Sequence, residues 1–229
     1  KVFLLLFVHK KKVFPSFVST PMQDPDWLIW AREIQAIAQT GLAFEPHHYD
    51  RERYEALRSL AARMIAAGGS AEAATLERLF AAESGYATPK VDVRGAAFRD
   101  GRILLVREVA DHHRWTLPGG WADVNLTPAE NVAKQMREET GFLVRPTRLD
   151  AVLDRTRQGH TPAPFHAYKL LFLCEITGGA AAPSAETSEV AFFAESELPD
   201  DISYDRVTHA QLHRMFAHAA DPSLPTIFD

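Results

Sequence analysis

A chain of 229 residues can bury a sizeable core, as one large domain or as a domain with an appendage. Its composition, 46% hydrophobic and 24% charged, is that of an ordinary globular protein, and a net charge of −5 gives no electrostatic reason for broad nucleic-acid or membrane binding. The single cysteine, Cys174, excludes an intrachain disulfide and any multi-cysteine zinc site, which makes a reducing cytoplasm the simplest compartment.

The opening Lys1-Val2-Phe3-Leu4-Leu5-Leu6-Phe7-Val8 has the charged and apolar parts of a signal peptide. The apolar run is too short to span a bilayer, and His9-Lys10-Lys11-Lys12 follows where a small-residue cleavage site is expected. Residues 1–21 are therefore read as a non-native or disordered leader, with Met22 as the natural start. Helical spacing of apolar residues then predicts helices from Trp27 to Ala38, Tyr49 to Ala67 and Ala71 to Ala82, the last two stopped by Gly68-Gly69 and Gly85. They make a small helical domain over 24–86, whose aromatic-rich hairpin offers a surface for a homodimer.

A second domain is expected over 89–220. Val91–Phe98 and Arg102–Val106 flank Asp100-Gly101, the signature of a two-residue hairpin turn. After Trp115-Thr116-Leu117-Pro118 comes Gly119-Gly120, and from Thr127 an acidic helix. Thr127 suits the N-cap, Pro128 the first helical position, Glu130 completes a capping box, and Gly141 stops the helix. Ala129, Val132, Ala133, Met136 and Thr140 share one small apolar face, while Asn131, Gln135, Glu138 and Glu139 gather on another. Further strands are expected near Leu149–Asp154, Phe165–Ile176 and Val190–Ala194, and a last helix near Val207–Ala219. Strands around a central acidic helix give a mixed α/β sandwich. Cys174 lies in the apolar run Tyr168–Cys174 and reads as a buried strand thiol.

Adjacent carboxylates in the last turn of a helix repel each other and sit at the negative end of its dipole. A divalent cation relieves both costs, and hard oxygen ligands suit Mg2+ or Mn2+, which bind diphosphates through a few carboxylates, substrate oxygens and water.

The stretch Gly120–Phe142 resembles the box of the Nudix hydrolases: Gly, five residues, Glu, seven residues, Arg-Glu, an aliphatic, one residue, Glu-Glu, one residue, Gly, an aliphatic. Gly120, Met136, Glu138, Glu139, Gly141 and Phe142 match or nearly match; Leu126, Lys134 and Gln135 replace the first Glu, the Arg and the Glu after it. Trp27 to Leu42, Gly85–Gly95 and Leu117–Val124 resemble the branch with an N-terminal helical domain, which includes CDP-choline pyrophosphatases. There Leu126 and Lys134 are branch-like, which leaves Gln135 as the anomaly.

The resemblance implies a Nudix-type α/β/α sandwich with a mixed sheet and hydrolysis of a nucleoside diphosphate linked to a group X. It implies Mg2+ (or Mn2+) held by Glu138 and Glu139, with help from Gln135 and the Gly120 carbonyl. An amide carries no charge and takes no proton at neutral pH, so Gln135 weakens metal affinity and rate. The implied base is then Glu138 or a carboxylate of the Glu186–Glu189 loop, with Glu186 and Glu189 leading. Arg94, Trp121, Arg155, His166 and Tyr168 are the candidate substrate contacts, the aromatic ones suiting a choline-like cation. The His112-His113 and His160–His166 pairs lack zinc spacing. Gln135 itself is open to three readings: natural tolerance with the base elsewhere, a nucleotide-binding or regulatory protein without chemistry, or an engineered carboxylate-to-amide change. An RNA-end processing hydrolase is a further alternative, disfavoured by the net acidity.

Overall fold

The computed structural model describes residues 24–44, 46–69 and 71–229, so the expected leader 1–21 lies outside the described residues. The described chain forms two compact units: 24–89 with Pro162–His166, and Lys90–Thr161 with Ala167–Asp229.

The first unit is three helices, α1 (Asp26–Ala43), α2 (His48–Gly68) and α3 (Ala73–Ala82). Their core is Leu28, Ala31, Ala61, Ala62, Ile65, Ala71, Leu76 and Phe80. Alanines in these rows let the helix backbones approach closely, and two large rings fill the remaining space. A Cβ on Gly68 would lie 2.3 Å from the Trp27 ring, and one on Gly41 would lie 2.4 Å from the Tyr54 ring. The connection out of α3 is tied to α1 by Gln39 Nε2 donating to Gly85 O (3.2 Å) and Ala87 N–H donating to Thr40 Oγ1 (3.2 Å).

The second unit is a mixed sheet between helices. Its strands are β1 (Lys90–Arg99), β2 (Arg102–Glu108), β3 (Arg114–Thr116), β4 (Gly119–Trp121), β5 (Phe142–Asp154), β6 (Ala167–Gly179), β7 (Thr187–Phe193) and β8 (Ile227–Phe228). They follow the order β3-β2-β1-β6-β5-β8, with β4 also on β1 and β7 also on β2; β1–β6 and β5–β8 are parallel and the other pairs antiparallel. The β1–β2 turn is the expected one, with Asp100 (φ 51) and Gly101 (φ 72) both left-handed as a two-residue hairpin requires.

Side chains alternate between two cores. Ala96, Ile103, Leu105 and Leu171 meet Leu212 and Met215 of α5 (His209–Ala220) on one face. Val93, Ala97, Leu104, Phe172 and Cys174 meet Val132 and Met136 of α4 (Pro128–Thr140) on the other. This is the expected helix–sheet–helix sandwich. Gly95 lets α4 sit flush on β1, because a Cβ there would lie 2.3 Å from Met136 Sδ and 2.9 Å from Val132.

Several boundaries differ from expectation. The strand expected from Leu149 begins at Phe142, because β6 pairs with it over its whole length. The strand expected from Phe165 begins at Ala167, leaving Phe165 and His166 in the connection before it. The short strands β3, β4 and β8 were not legible, since two or three residues carry no periodicity.

Candidate active site

Helix α4 is fixed at both ends by its own sequence. Thr127 Oγ1 accepts the Glu130 N–H (3.2 Å) and the Glu130 carboxylate accepts the Thr127 N–H (2.8 Å), the reciprocal capping box. At the other end Gly141 adopts φ 75 and donates its N–H to Arg137 O (3.0 Å), and Glu139 is thereby placed in the last turn.

The Glu139 carboxyl is buried and accepts the Gly119 N–H at 3.0 Å. Gly119 stands opposite Arg94 in the β1–β4 ladder with φ 137, and a Cβ there would lie 2.1 Å from Val93 O, so only glycine lets the loop come this close to β1. Burial pushes the Glu139 carboxyl up to about 8; Arg94 and the Gly119 N–H oppose that, and the nearby Glu108 and Glu186 carboxylates reinforce it. A buried carboxyl in the last turn of a helix, next in sequence to the exposed Glu138 carboxylate, offers hard oxygens at the negative end of the helix dipole, a setting that a divalent cation relieves. The donor set therefore fits Mg2+ or Mn2+. Among the described residues no three His, Cys, Asp or Glu side chains are grouped so as to hold a metal ion by themselves. Mg2+ characteristically completes its shell with substrate phosphate and water.

The other residues expected at the site fall into distinct positions. Gln135 lies over Gly120, its Oε1 3.5 Å from where a Gly120 Cβ would be. Glu138 is exposed and pairs with Lys134 (3.7 Å), which also holds Asp123 (2.5 Å) at the start of the loop before α4. The loop carrying Glu186 is tied to the end of α4: Thr187 Oγ1 donates to Glu139 O (2.6 Å), and Ala182 N–H donates to Thr140 O (2.9 Å). Glu186 accepts the Val109 N–H on its carbonyl (2.9 Å). Glu189 is a strand residue opposite Arg107, with which it pairs at 3.2 Å.

Arg94 is buried, its fork on Asp92 and Leu117 O. Trp121 is half-buried on β4, Tyr168 is exposed at the start of β6, and buried Arg155 reaches Asp205 O (3.4 Å). His166 belongs to the Pro162–His166 segment of the helical unit. His160 is a core histidine: its ring bonds Tyr204 O (2.9 Å) through Nδ1 and the Gln211 amide (3.1 Å) through Nε2.

Two residues escaped sequence reasoning. Asn131, assigned to the polar face of α4, is buried; it accepts the Asp123 N–H (2.8 Å) and donates towards the carbonyls of Asp123, Leu126 and Thr127. It clamps the loop between Gly120 and the helix. Glu108 ends β2 opposite Thr187, where the ladder shifts register, and pairs with buried Arg206 (3.3 Å). A carboxylate at a strand end carries no spacing signal, so only the fold reveals its pairing with Arg206.

Comparisons with known proteins bear on the family and the fold. The NUDIX domain family matches residues 74–214, and a family described as a UDP-X-like, N-terminal oligomerisation domain matches 25–80. The Bacillus subtilis (strain 168) protein YjhB, provisionally named an ADP-ribose pyrophosphatase, is 47% identical over 203 residues, which cover 89% of this chain and 97% of that protein. A crystal structure of a UDP-X diphosphatase is similar with a TM-score of 0.57 and 33% identity, covering 91% of this chain and 100% of that one. That of an ADP-ribose pyrophosphatase from Streptococcus suis 89-1591 has a TM-score of 0.56 and 35% identity over 62% of this chain and 100% of that one. The family match covers more than half of the chain and the YjhB relative nearly all of its own length, and the chain belongs to the Nudix hydrolase family.

Proposed function

We propose that this chain is a divalent-metal-dependent pyrophosphohydrolase that cleaves a nucleoside diphosphate linked to X into a nucleoside monophosphate and phospho-X. The observation that carries the reading is the Glu139 carboxyl, buried in the last turn of α4 and held by the Gly119 N–H at 3.0 Å. Glu139 and Glu138, with the Gln135 amide and the Gly120 carbonyl, would hold Mg2+ or Mn2+. When bound, the cation neutralises the diphosphate and lowers the pKa of water. Gln135 contributes a neutral oxygen only, so the proton of the attacking water goes to another group. Glu186 is the base this reading favours, because its loop is tied to the end of α4 through Thr187 Oγ1 and Glu139 O.

The relatives support a nucleotide substrate carrying a sugar or sugar-like X, named ADP-ribose or UDP-X for those proteins. A choline-like X draws on Trp121 and Tyr168; Arg155 remains a proposed contact for the nucleotide. The helical unit supports a homodimer, because its family is described as an oligomerisation domain and α1 exposes Trp30 and Ile37, with exposed Phe44 just past its end. Among the described residues no helix is long and apolar enough to cross a membrane, and the buried free thiol of Cys174 suits a cytoplasmic location.

The test is phosphate-coupled hydrolysis of ADP-ribose, a UDP-sugar, CDP-choline and a dinucleotide with Mg2+ or Mn2+. Turnover that is lost in Glu139→Gln and reduced in Glu186→Gln supports the reading. Full activity in Glu139→Gln contradicts it.

A further inference from the structure

Three charged side chains lie buried together behind the two-glycine turn: Asp92 and Arg94 on β1 and Lys169 on β6, at 7%, 4% and 1% exposure. Asp92 and Lys169 are direct partners across the parallel ladder, and Arg94 follows Asp92 by two positions on the same face. Arg94 grips Asp92 with both prongs, Nε to Oδ1 and Nη2 to Oδ2 at 2.9 Å each, while Lys169 Nζ donates to Oδ1 at 2.8 Å. The remaining Arg94 nitrogen, Nη1, donates to Leu117 O at 3.0 Å.

Such a cluster is hard to explain as a source of stability. Taking three charges out of water costs several kcal/mol per ion, and well-packed apolar residues usually do as well or better. What the cluster supplies is position. Leu117 is two residues before Gly119, and Pro118 O between them accepts the Gly95 N–H (3.0 Å). The loop is therefore pinned to β1 by the Arg94 side chain and the Gly95 backbone just ahead of the N–H that holds Glu139. Only a planar fork can embrace a carboxylate with two nitrogens and aim a third at a carbonyl; a lysine at 94 carries its three donors on one nitrogen and cannot reproduce that bidentate grip together with the Leu117 O contact.

We propose that Lys169, Asp92 and Arg94 form a buried tether that sets the position of the Glu139 carboxyl, and that they act as positioning residues for metal binding rather than as substrate contacts. The chain of contacts runs from Lys169 to Asp92, to Arg94, to Leu117 O, and through the Gly119 N–H to Glu139. This assignment rests on the metal-dependent reading of the site.

The test is Mn2+ titration of the full chain, followed by calorimetry and by paramagnetic resonance without substrate, alongside the nucleotide KM at saturating metal and the thermal midpoint. Arg94→Lys is expected to weaken Mn2+ binding about tenfold, as outer-shell changes at metal sites do, while the nucleotide KM stays within about twofold. Lys169→Met leaves the Arg94 fork in place and weakens Mn2+ binding less, and it keeps the test decisive should Arg94→Lys not fold. A folded Arg94→Lys or Lys169→Met protein that binds Mn2+ as tightly as the parent overturns the tether. A parent chain that binds no Mn2+ overturns the metal-dependent reading beneath it.

Discussion

At the scale of single residues the site is defined by what burial does to charge. Gln135 stands in the box helix where the resemblance implies a carboxylate, and its amide lies against Gly120. Restoring the charge should add an anionic oxygen beside Glu139, so Gln135→Glu is expected to tighten Mg2+ activation and raise kcat/KM by about tenfold, read by metal titration of the hydrolysis rate. An unchanged metal dependence would place Gln135 outside the donor set. His160 shows the opposite economy of charge. With Nδ1–H given to Tyr204 O and Nε2 accepting from Gln211, the ring is neutral, and burial holds its pKa well below 6.5. A base with a depressed folded pKa contributes stability that is present above 6.5 and lost as pH falls. The parent should therefore lose thermal stability from pH 6.5 downward more steeply than His160→Gln, and parallel melting curves would contradict this. Burial also pushes the Cys174 thiol up to about 12, so it should resist thiol reagents at pH 8 until the fold is opened by denaturant.

At the scale of elements, packing decides how well α4 can hold its carboxylates. A methyl group at residue 95 would strike Met136 and Val132, so Gly95→Ala should cost about 1–3 kcal/mol by overpacking. It should also displace α4 from β1, which a fall in both thermal midpoint and Mn2+ affinity would register. The helix itself was legible in the sequence because its signals are local: Thr127, Pro128, Glu130 and Gly141 each act through the backbone within one turn. The same holds for the Asp100-Gly101 turn. What was not legible depends on partners distant in sequence. Periodicity put Asn131 and Glu139 on a polar face, yet the Gly119–Thr127 loop folds over that face and buries both. Glu108 and Arg206 meet across almost a hundred residues, and no spacing announces them. Trp30 and Ile37 on α1 and Phe44 just past its end are 56%, 53% and 71% exposed, and a groove of about 620 Å³ is lined by Ile37, Phe44, Tyr54 and Tyr86. If a second copy covers this stripe, Ile37→Glu should convert a dimer to a monomer in light scattering without loss of helicity; a dimer that survives the change would place the interface elsewhere.

At the scale of the whole molecule, the chain joins a three-helix unit to a Nudix domain, an arrangement shared across 91% of its length with the UDP-X diphosphatase structure. The fold fixes where the carboxylates meet; the substrate is decided by side chains the relatives need not share. The account stands on one claim above all, that the buried Glu139 carboxyl binds the cation that a diphosphate requires. The most direct measurement is the hydrolysis rate of ADP-ribose and a UDP-sugar against Mg2+ concentration for the parent and Glu139→Gln, with Mn2+ binding followed in parallel. The account predicts metal-dependent release of a nucleoside monophosphate by the parent, and a loss of at least about a hundredfold in both binding and rate in the variant. Equal rates and equal Mn2+ affinity in the two proteins would contradict it.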